Sequence, residues 1–200
     1  MFEQLGQDTR SRILRGAFDA LAEHGVRQTS VQHVLETSQV SRRTFYQYFR
    51  SMDGVKAALY EIAKDELVSE VRTLVDTEPN PAKKAVKAVN AYVEYQRRGG
   101  AVLIGLQAEA IRADSPLAEQ RVKTLDALVE VVDKGTRDSL GVGCDTLVYR
   151  SVLMGIEGMV LHLQSDGSFT EADSARTRQA GIAILLQVLA GASRMPLASG

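Results

Sequence analysis

Two adjacent arginines, a threonine, a tyrosine and a glutamine stand close together at Arg42, Arg43, Thr44, Tyr46 and Gln47. They offer forked or single hydrogen-bonding groups of the kind that meet phosphate oxygens and base edges. Their spacing makes that chemistry usable. Phe45 and Phe49 are four apart, so on a helix they share one face and point to a core. Arg42, Arg43, Thr44, Gln47 and Tyr46 then project away from that core. Ser41 precedes the run as an N-cap, with Thr44 at the third helical position. A serine-capped helix with two arginines is often only a solvated surface helix. Two caps, a short connection, a Phe pair and an opposite polar face, all in register, set this one apart.

A helix this short needs a partner to hold it. Thr29 reads as the N-cap of a preceding helix, with Gln32 completing a capping box. Val31, Val34 and Leu35 supply its apolar stripe. Ser38-Gln39-Val40 is too short for a loop and suits a tight turn with Val40 as buried anchor. Residues 29–49 therefore predict a helix-turn-helix whose second helix enters the DNA major groove. The expected contacts are Arg43, Thr44 and Tyr46, supported by Thr29, Arg42, Gln47, Tyr48 and Lys56. Thr29 and Lys56 are expected on phosphates.

The first sixty residues resemble the tetracycline-repressor (TetR) family of bacterial transcription regulators. Gly25, Thr29, Val40-Ser41, Thr44, Tyr46, Tyr48 and Phe49 stand where that family's pattern has them. The chain departs at Leu35, where a small residue is usual, and at Gln39, where glycine is usual. The resemblance implies an N-terminal DNA-binding domain over 1–52 and a helical ligand-binding and dimerisation domain over 53–195. It also implies a palindromic operator, repression as the common mode, and dimerisation through the last two long helices.

The remaining sequence is helical throughout, with no convincing strand alternation. The reading is all-α, about nine helices: near 8–24, the two short ones, 52–76, 82–97, 101–113, 116–139, 145–164 and 170–192. Glu78-Pro-Asn-Pro81, Gly99-Gly100, Gly141-Val-Gly143 and Ser165–Ser168 are the expected breaks, and the tail after Met195 is expected to be disordered. From Ala180 to Ala192 the only polar side chain is Gln187. A helix apolar all round must be covered all round. The last two helices are therefore expected to pair with those of a second copy, and a charge at Leu185 or Leu189 is expected to break the dimer or unfold the chain. The alternative is that both are core helices of a monomer.

A ligand site is expected among the middle helices, with Tyr92, Tyr95, Gln96, Leu103, Gln107, Ile111, Met154 and Glu157 as candidates. Each is as readily an ordinary core or surface residue. The expected effector is apolar or amphipathic, since no basic cluster lies on these helices.

Composition bounds the rest. The chain has 200 residues, 44% hydrophobic and 24% charged, with net charge −1. Residues 1–60 hold eight Lys/Arg against six Asp/Glu, so any DNA footprint must come from local placement. A single cysteine, Cys144, excludes an internal disulfide. No signal peptide or membrane-spanning run is evident, and a cytoplasmic location is expected. His24, His33 and His162 lack metal-ligand spacing, and no G-x-S-x-G, P-loop or dinucleotide pattern occurs. The chain is thus expected to be no enzyme and to need no metal or cofactor. Three functions remain: a ligand-responsive repressor, a DNA-binding protein of the same fold without a small-molecule inducer, or a helical protein–protein interaction module.

Overall fold

A computed structural model of the chain describes residues 6–140, 145–164 and 169–192. Within them lie eight α-helices and no strand. They are α1 (Thr9–His24), α2 (Val31–Ser38), α3 (Arg42–Tyr48), α4 (Met52–Asp76), α5 (Pro81–Ala110), α6 (Ala118–Leu140), α7 (Thr146–Leu163) and α8 (Glu171–Ala192). The breaks expected at 141–143 and 165–168, the tail after Met195 and Cys144 lie outside the described residues.

The range Pro81–Ala110 is two helices meeting at a kink: Gly100 has φ 54° and ψ −152°, far from helical values. Only glycine adopts that conformation at little cost. The break expected at Gly99-Gly100 is thus present, and α5 comprises a helical segment on either side of it. No helix among the described residues is long and apolar enough to cross a membrane.

The chain divides into two compact units, residues 1–66 with 99–121, and residues 67–98 with 122–200. The expected boundary at 52/53 falls at the start of α4, and the first unit extends beyond it.

In the first unit, Ile13, Leu14, Ala17 and Leu21 of α1 are fully buried, as are Val34, Phe45, Val55 and Leu59. α1 is capped by Asp8, whose side chain accepts from Ser11 N, and ends at Gly25 with φ 80°. α1 and α2 approach at Gly16. A Cβ placed there would stand 2.6 Å from both the backbone N and the Cβ of Ser38. Nearby, Thr37 donates to the Gly16 carbonyl at 2.7 Å, and Arg12 donates to the carbonyls of Ser38 and Gln39 at 3.3 Å each. Residues 99–121 add Ile104, Leu106 and Leu117 to this core, and Gly105 lies against Val26.

In the second unit, α5 and α8 run antiparallel. Arg97 faces Glu171 at 3.5 Å, Glu94 faces Arg178 at 3.8 Å, and Gly181 packs on Val89 and Ile156. Thr170 and Asp173 cap α8 reciprocally. Asp173 Oδ2 accepts from the Thr170 hydroxyl at 2.6 Å, and Thr170 Oγ1 accepts from Asp173 N at 3.2 Å. Arg150 of α7 pairs with Asp126 of α6.

Leu185 and Leu189 point into the core of this unit, at 4% and 6% exposure. Of the two outcomes expected of a charge placed there, loss of the dimer or unfolding, this burial favours unfolding. The outward apolar residues are Leu147, Val148 and Met154 on α7 and Ile184 on α8. Along α7 the exposed positions Leu147, Ser151, Met154, Gly155, Gly158 and His162 fall at helical spacing on one side. A Cβ added at Gly155 or Gly158 would meet nothing within 4 Å.

Candidate nucleic-acid interface

α3 is built as its sequence requires. Ser41 is its N-cap, with Oγ accepting from Thr44 N at 3.1 Å. Phe45 is fully buried and Phe49 nearly so, with ring centroids 6.1 Å apart. Arg10 of α1 places its guanidinium 5.6 Å from the Phe49 ring, over its face. This packing fixes which side of α3 meets solvent. Arg42, Arg43, Tyr46, Gln47 and Tyr48 are exposed, and Thr44 is half-buried with its hydroxyl 2.8 Å from Ser41 Oγ. Tyr46 stands edge-on to Phe45 at 5.4 Å, which holds its ring while its outer face stays open.

The preceding helix differs from expectation at its start. Ser30 is the N-cap of α2, and His33 is the reciprocal partner, with both hydrogen bonds at 3.4 Å. Thr29 is buried, and its hydroxyl donates toward the Ala20 and Gly25 carbonyls at 3.1 and 2.7 Å. A side chain so enclosed ties the α1–α2 corner together, and the phosphate contact and capping role expected of it are corrected accordingly. Gln32, expected in the capping box, instead accepts from Arg42 at 2.9 Å and donates to Glu36 at 2.8 Å. That exposed chain links α2 to α3. It was missed because Gln32 and Arg42 are ten residues apart, beyond any local pattern.

The turn between the helices carries the one positive-φ residue other than glycine among the described residues. Gln39 has φ 55° and ψ 35°. Its N–H donates to Leu35 O at 3.1 Å and its side-chain amide to Glu36 O at 2.7 Å, satisfying carbonyls at the end of α2. The position where glycine was noted as usual thus does require left-handed backbone. Lys56 lies half-buried in the first turns of α4.

Arg43 makes no side-chain hydrogen bond among the described residues, while Arg42 is held by Gln32. The exposed surface of α3 therefore presents one free guanidinium, one tethered guanidinium, two phenols and an amide. These are donors and acceptors on a rigid helix, with no nucleophile–base pair among them. No group of three or more His, Cys, Asp or Glu among the described residues could hold a metal ion.

The ligand candidates divide between the units. Leu103, Gln107 and Ile111 belong to the first; Tyr92, Tyr95, Gln96, Met154 and Glu157 belong to the second. Gln107 is buried and accepts from Tyr60 at 3.2 Å, Leu103 is buried, and Ile111 is exposed just past the end of α5. In the second unit Tyr95, Gln96 and Glu157 are buried, and Met154 lies on the outward face of α7. Tyr92 lines an apolar cavity with Val71, Leu128, Tyr149, Ile156 and Leu185. Its volume is about 20 Å3, little more than one water requires.

Comparison with known proteins bears first on the helix-turn-helix. Residues 13–59, from within α1 into α4, match the family described as bacterial regulatory proteins, tetR family. No curated protein sequence matches the chain. Solved structures match over nearly its whole length. The fatty acid degradation regulator FadR from Bacillus halodurans is 17% identical, with a TM-score of 0.72 over 88% of this chain and 96% of its own. A transcriptional regulator from Rhodococcus sp. Rha1 is 23% identical, with a TM-score of 0.71 over 94% of this chain and 100% of its own. FadR from Bacillus subtilis, solved in complex with stearoyl-CoA, is 15% identical, with a TM-score of 0.72 over 87% of this chain and 96% of its own.

Proposed function

We propose that this chain, whose residues 13–59 match the tetR family of bacterial regulatory proteins, is a regulator of that family and a sequence-specific transcriptional repressor that a small apolar or amphipathic ligand releases from its operator. The observation that carries the DNA-binding part is the outward face of α3. Arg42, Arg43, Tyr46 and Gln47 are exposed on a serine-capped helix that Phe45 and Phe49 anchor from behind. Arg43, Thr44 and Tyr46 take the base edges and adjoining phosphates. Arg42, Gln47, Tyr48 and Lys56 support them. The test is a gel-shift titration against the DNA beside the protein's own gene. Arg43→Ala and Tyr46→Ala each weaken binding by about 1–3 kcal/mol, while loss of a phosphate contact weakens all sequences alike. Near wild-type affinity in both, with the helical signal intact, refutes the reading.

The repressor acts as a homodimer on a palindromic site. What supports this is the outward stripe of α7 and α8, where Leu147, Met154 and Ile184 are exposed and two glycines leave room for close helix approach. The ligand reading rests on the apolar cavity of the second unit, with Tyr92, Tyr95, Gln96, Leu103, Gln107, Ile111, Met154 and Glu157 as the residues to probe. A matching fold that holds stearoyl-CoA is consistent with an amphipathic ligand. One observation favours a second reading, a DNA-binding protein without a small-molecule inducer: the cavity is only about 20 Å3. A thermal-shift screen of hydrophobic compounds followed by operator release separates the two.

A further inference from the structure

Three buried polar atoms on α5 and α8 have no hydrogen-bond partner among the described residues: Gln96 Oε1, Ser174 Oγ and Thr177 Oγ1. Their residues are 2%, 0% and 1% exposed. Leaving such atoms unpaired is costly, and native structures hold few of them. Three on two facing helices is a pattern that a ligand or water must answer.

The antiparallel register of α5 and α8 brings these residues level. Val89 packs on Gly181. From that contact Gln96 is seven residues onward along α5, and Ser174 is seven residues back along α8. Both steps are two turns in the same direction, about 10 Å. Thr177 lies one turn nearer, and the Glu94–Arg178 and Arg97–Glu171 pairs bracket the same level. Tyr92, on the wall of the apolar cavity, is one turn before Gln96 on the same helix face. A polar layer therefore adjoins one end of the apolar cavity.

We propose that this part of the second unit binds a neutral amphiphile, with its hydrocarbon portion in the apolar cavity and a hydroxyl or carboxamide head on Gln96, Ser174 and Thr177. The proposal rests on the ligand-responsive reading and names the ligand class that reading leaves open. Gln96 Oε1 can only accept, whereas the two hydroxyls can donate or accept. The matching head must bring at least one donor and one acceptor, as an alcohol or a primary amide does. An anionic head is disfavoured, because the nearby guanidiniums of Arg97 and Arg178 are committed to Glu94 and Glu171.

The test uses the full chain in isothermal titration with 1-octanol, octanamide and octanoate, on wild type and on Thr177→Val and Ser174→Ala. The alcohol and amide bind, and octanoate binds at least tenfold more weakly. Each variant weakens the alcohol about two- to tenfold, the worth of one neutral hydrogen bond. The melting temperature of the free variants is unchanged or raised, since an unpaired buried hydroxyl has been removed. Octanoate binding as tightly as octanol overturns the head-group assignment and leaves the ligand-responsive reading in place. So do variants that gain stability with no change in affinity, which would mean that the polar layer holds only water. If none of the three probes binds, the proposal falls. Operator release by any other compound in the screen then decides the ligand-responsive reading separately.

Discussion

Replacing Gly16 by alanine tests the packing of the DNA-binding unit through the sign of its effect. Two opposing terms act. In an exposed helix interior, Gly→Ala stabilises by about 1 kcal/mol through helix propensity. Here the added Cβ would stand 2.6 Å from the backbone N and the Cβ of Ser38, and 2.7 Å from its Cα. Carbon atoms pack at about 3.5–4.0 Å, so the end of α2 must retreat by roughly 1 Å. The obstacle is largely backbone, which cannot rotate aside as a side-chain tip can. Overpacking of this kind costs about 1–3 kcal/mol. Retreat also stretches the hydrogen bond from Thr37 to the Gly16 carbonyl and those from Arg12 to Ser38 and Gln39, each worth about 0.5–1.5 kcal/mol. The sum is a net destabilisation of about 1–4 kcal/mol. Urea unfolding followed by circular dichroism measures it, and a parallel gel shift reports whether α3 is still presented correctly. A stabilisation near 1 kcal/mol would refute the close α1–α2 approach, since propensity alone would then be acting.

Leu147→Glu and Ile184→Glu should shift the protein to monomer in sedimentation with helical content unchanged, because both side chains are exposed; Leu185→Glu should instead unfold the second unit, since it buries an unpaired charge. Thr29→Val should destabilise the first unit by about 1–3 kcal/mol by leaving buried carbonyls short of a donor, while the salt dependence of DNA binding, which counts phosphate contacts, stays as in wild type. Acid should weaken the fold through its caps and ion pairs. Hydrogen bonds from Ser11 hold Asp8 below its ordinary value, those from Thr170 do the same for Asp173, and the hydrogen bond from Arg97 does so for Glu94. A depressed folded pKa adds stability that is fully present above the unfolded value and is lost as pH falls through the folded one. The melting temperature should therefore hold down to the ordinary carboxylate range and drop below it, less steeply in Asp8→Asn.

What the sequence reveals depends on whether polarity marks a phase. α3 is legible because Phe45 and Phe49 define an inward face and everything polar falls opposite. α8 is not, because a helix apolar on every side has no phase; Leu185 and Ile184 are adjacent and chemically alike, yet one is core and the other is exposed. The start of α2 is ambiguous for a different reason. Thr29 and Ser30 are both good caps, and the partner turns out to be His33 rather than the Gln or Glu of the usual capping box. Gly99-Gly100 is legible because glycine signals helix ends, and Gly100 takes the positive-φ conformation that separates the two helical segments of α5. The link from Gln32 to Arg42 and the polar layer at Gln96 depend on tertiary neighbours that no local pattern encodes.

The small volume of the apolar cavity also sets a clock. On the ligand-responsive reading, a space of about 20 Å3 is too small for a hydrocarbon chain as it stands, so entry would wait for the walls around Tyr92 and Tyr149 to part. Affinity measured on the whole population is then weaker than that of the parted form by the fraction of molecules in it. Where parting precedes entry, the observed association rate stops rising with ligand concentration and levels off at the rate at which the walls separate. A regulator built this way responds no faster than its own interior opens, however abruptly the ligand arrives.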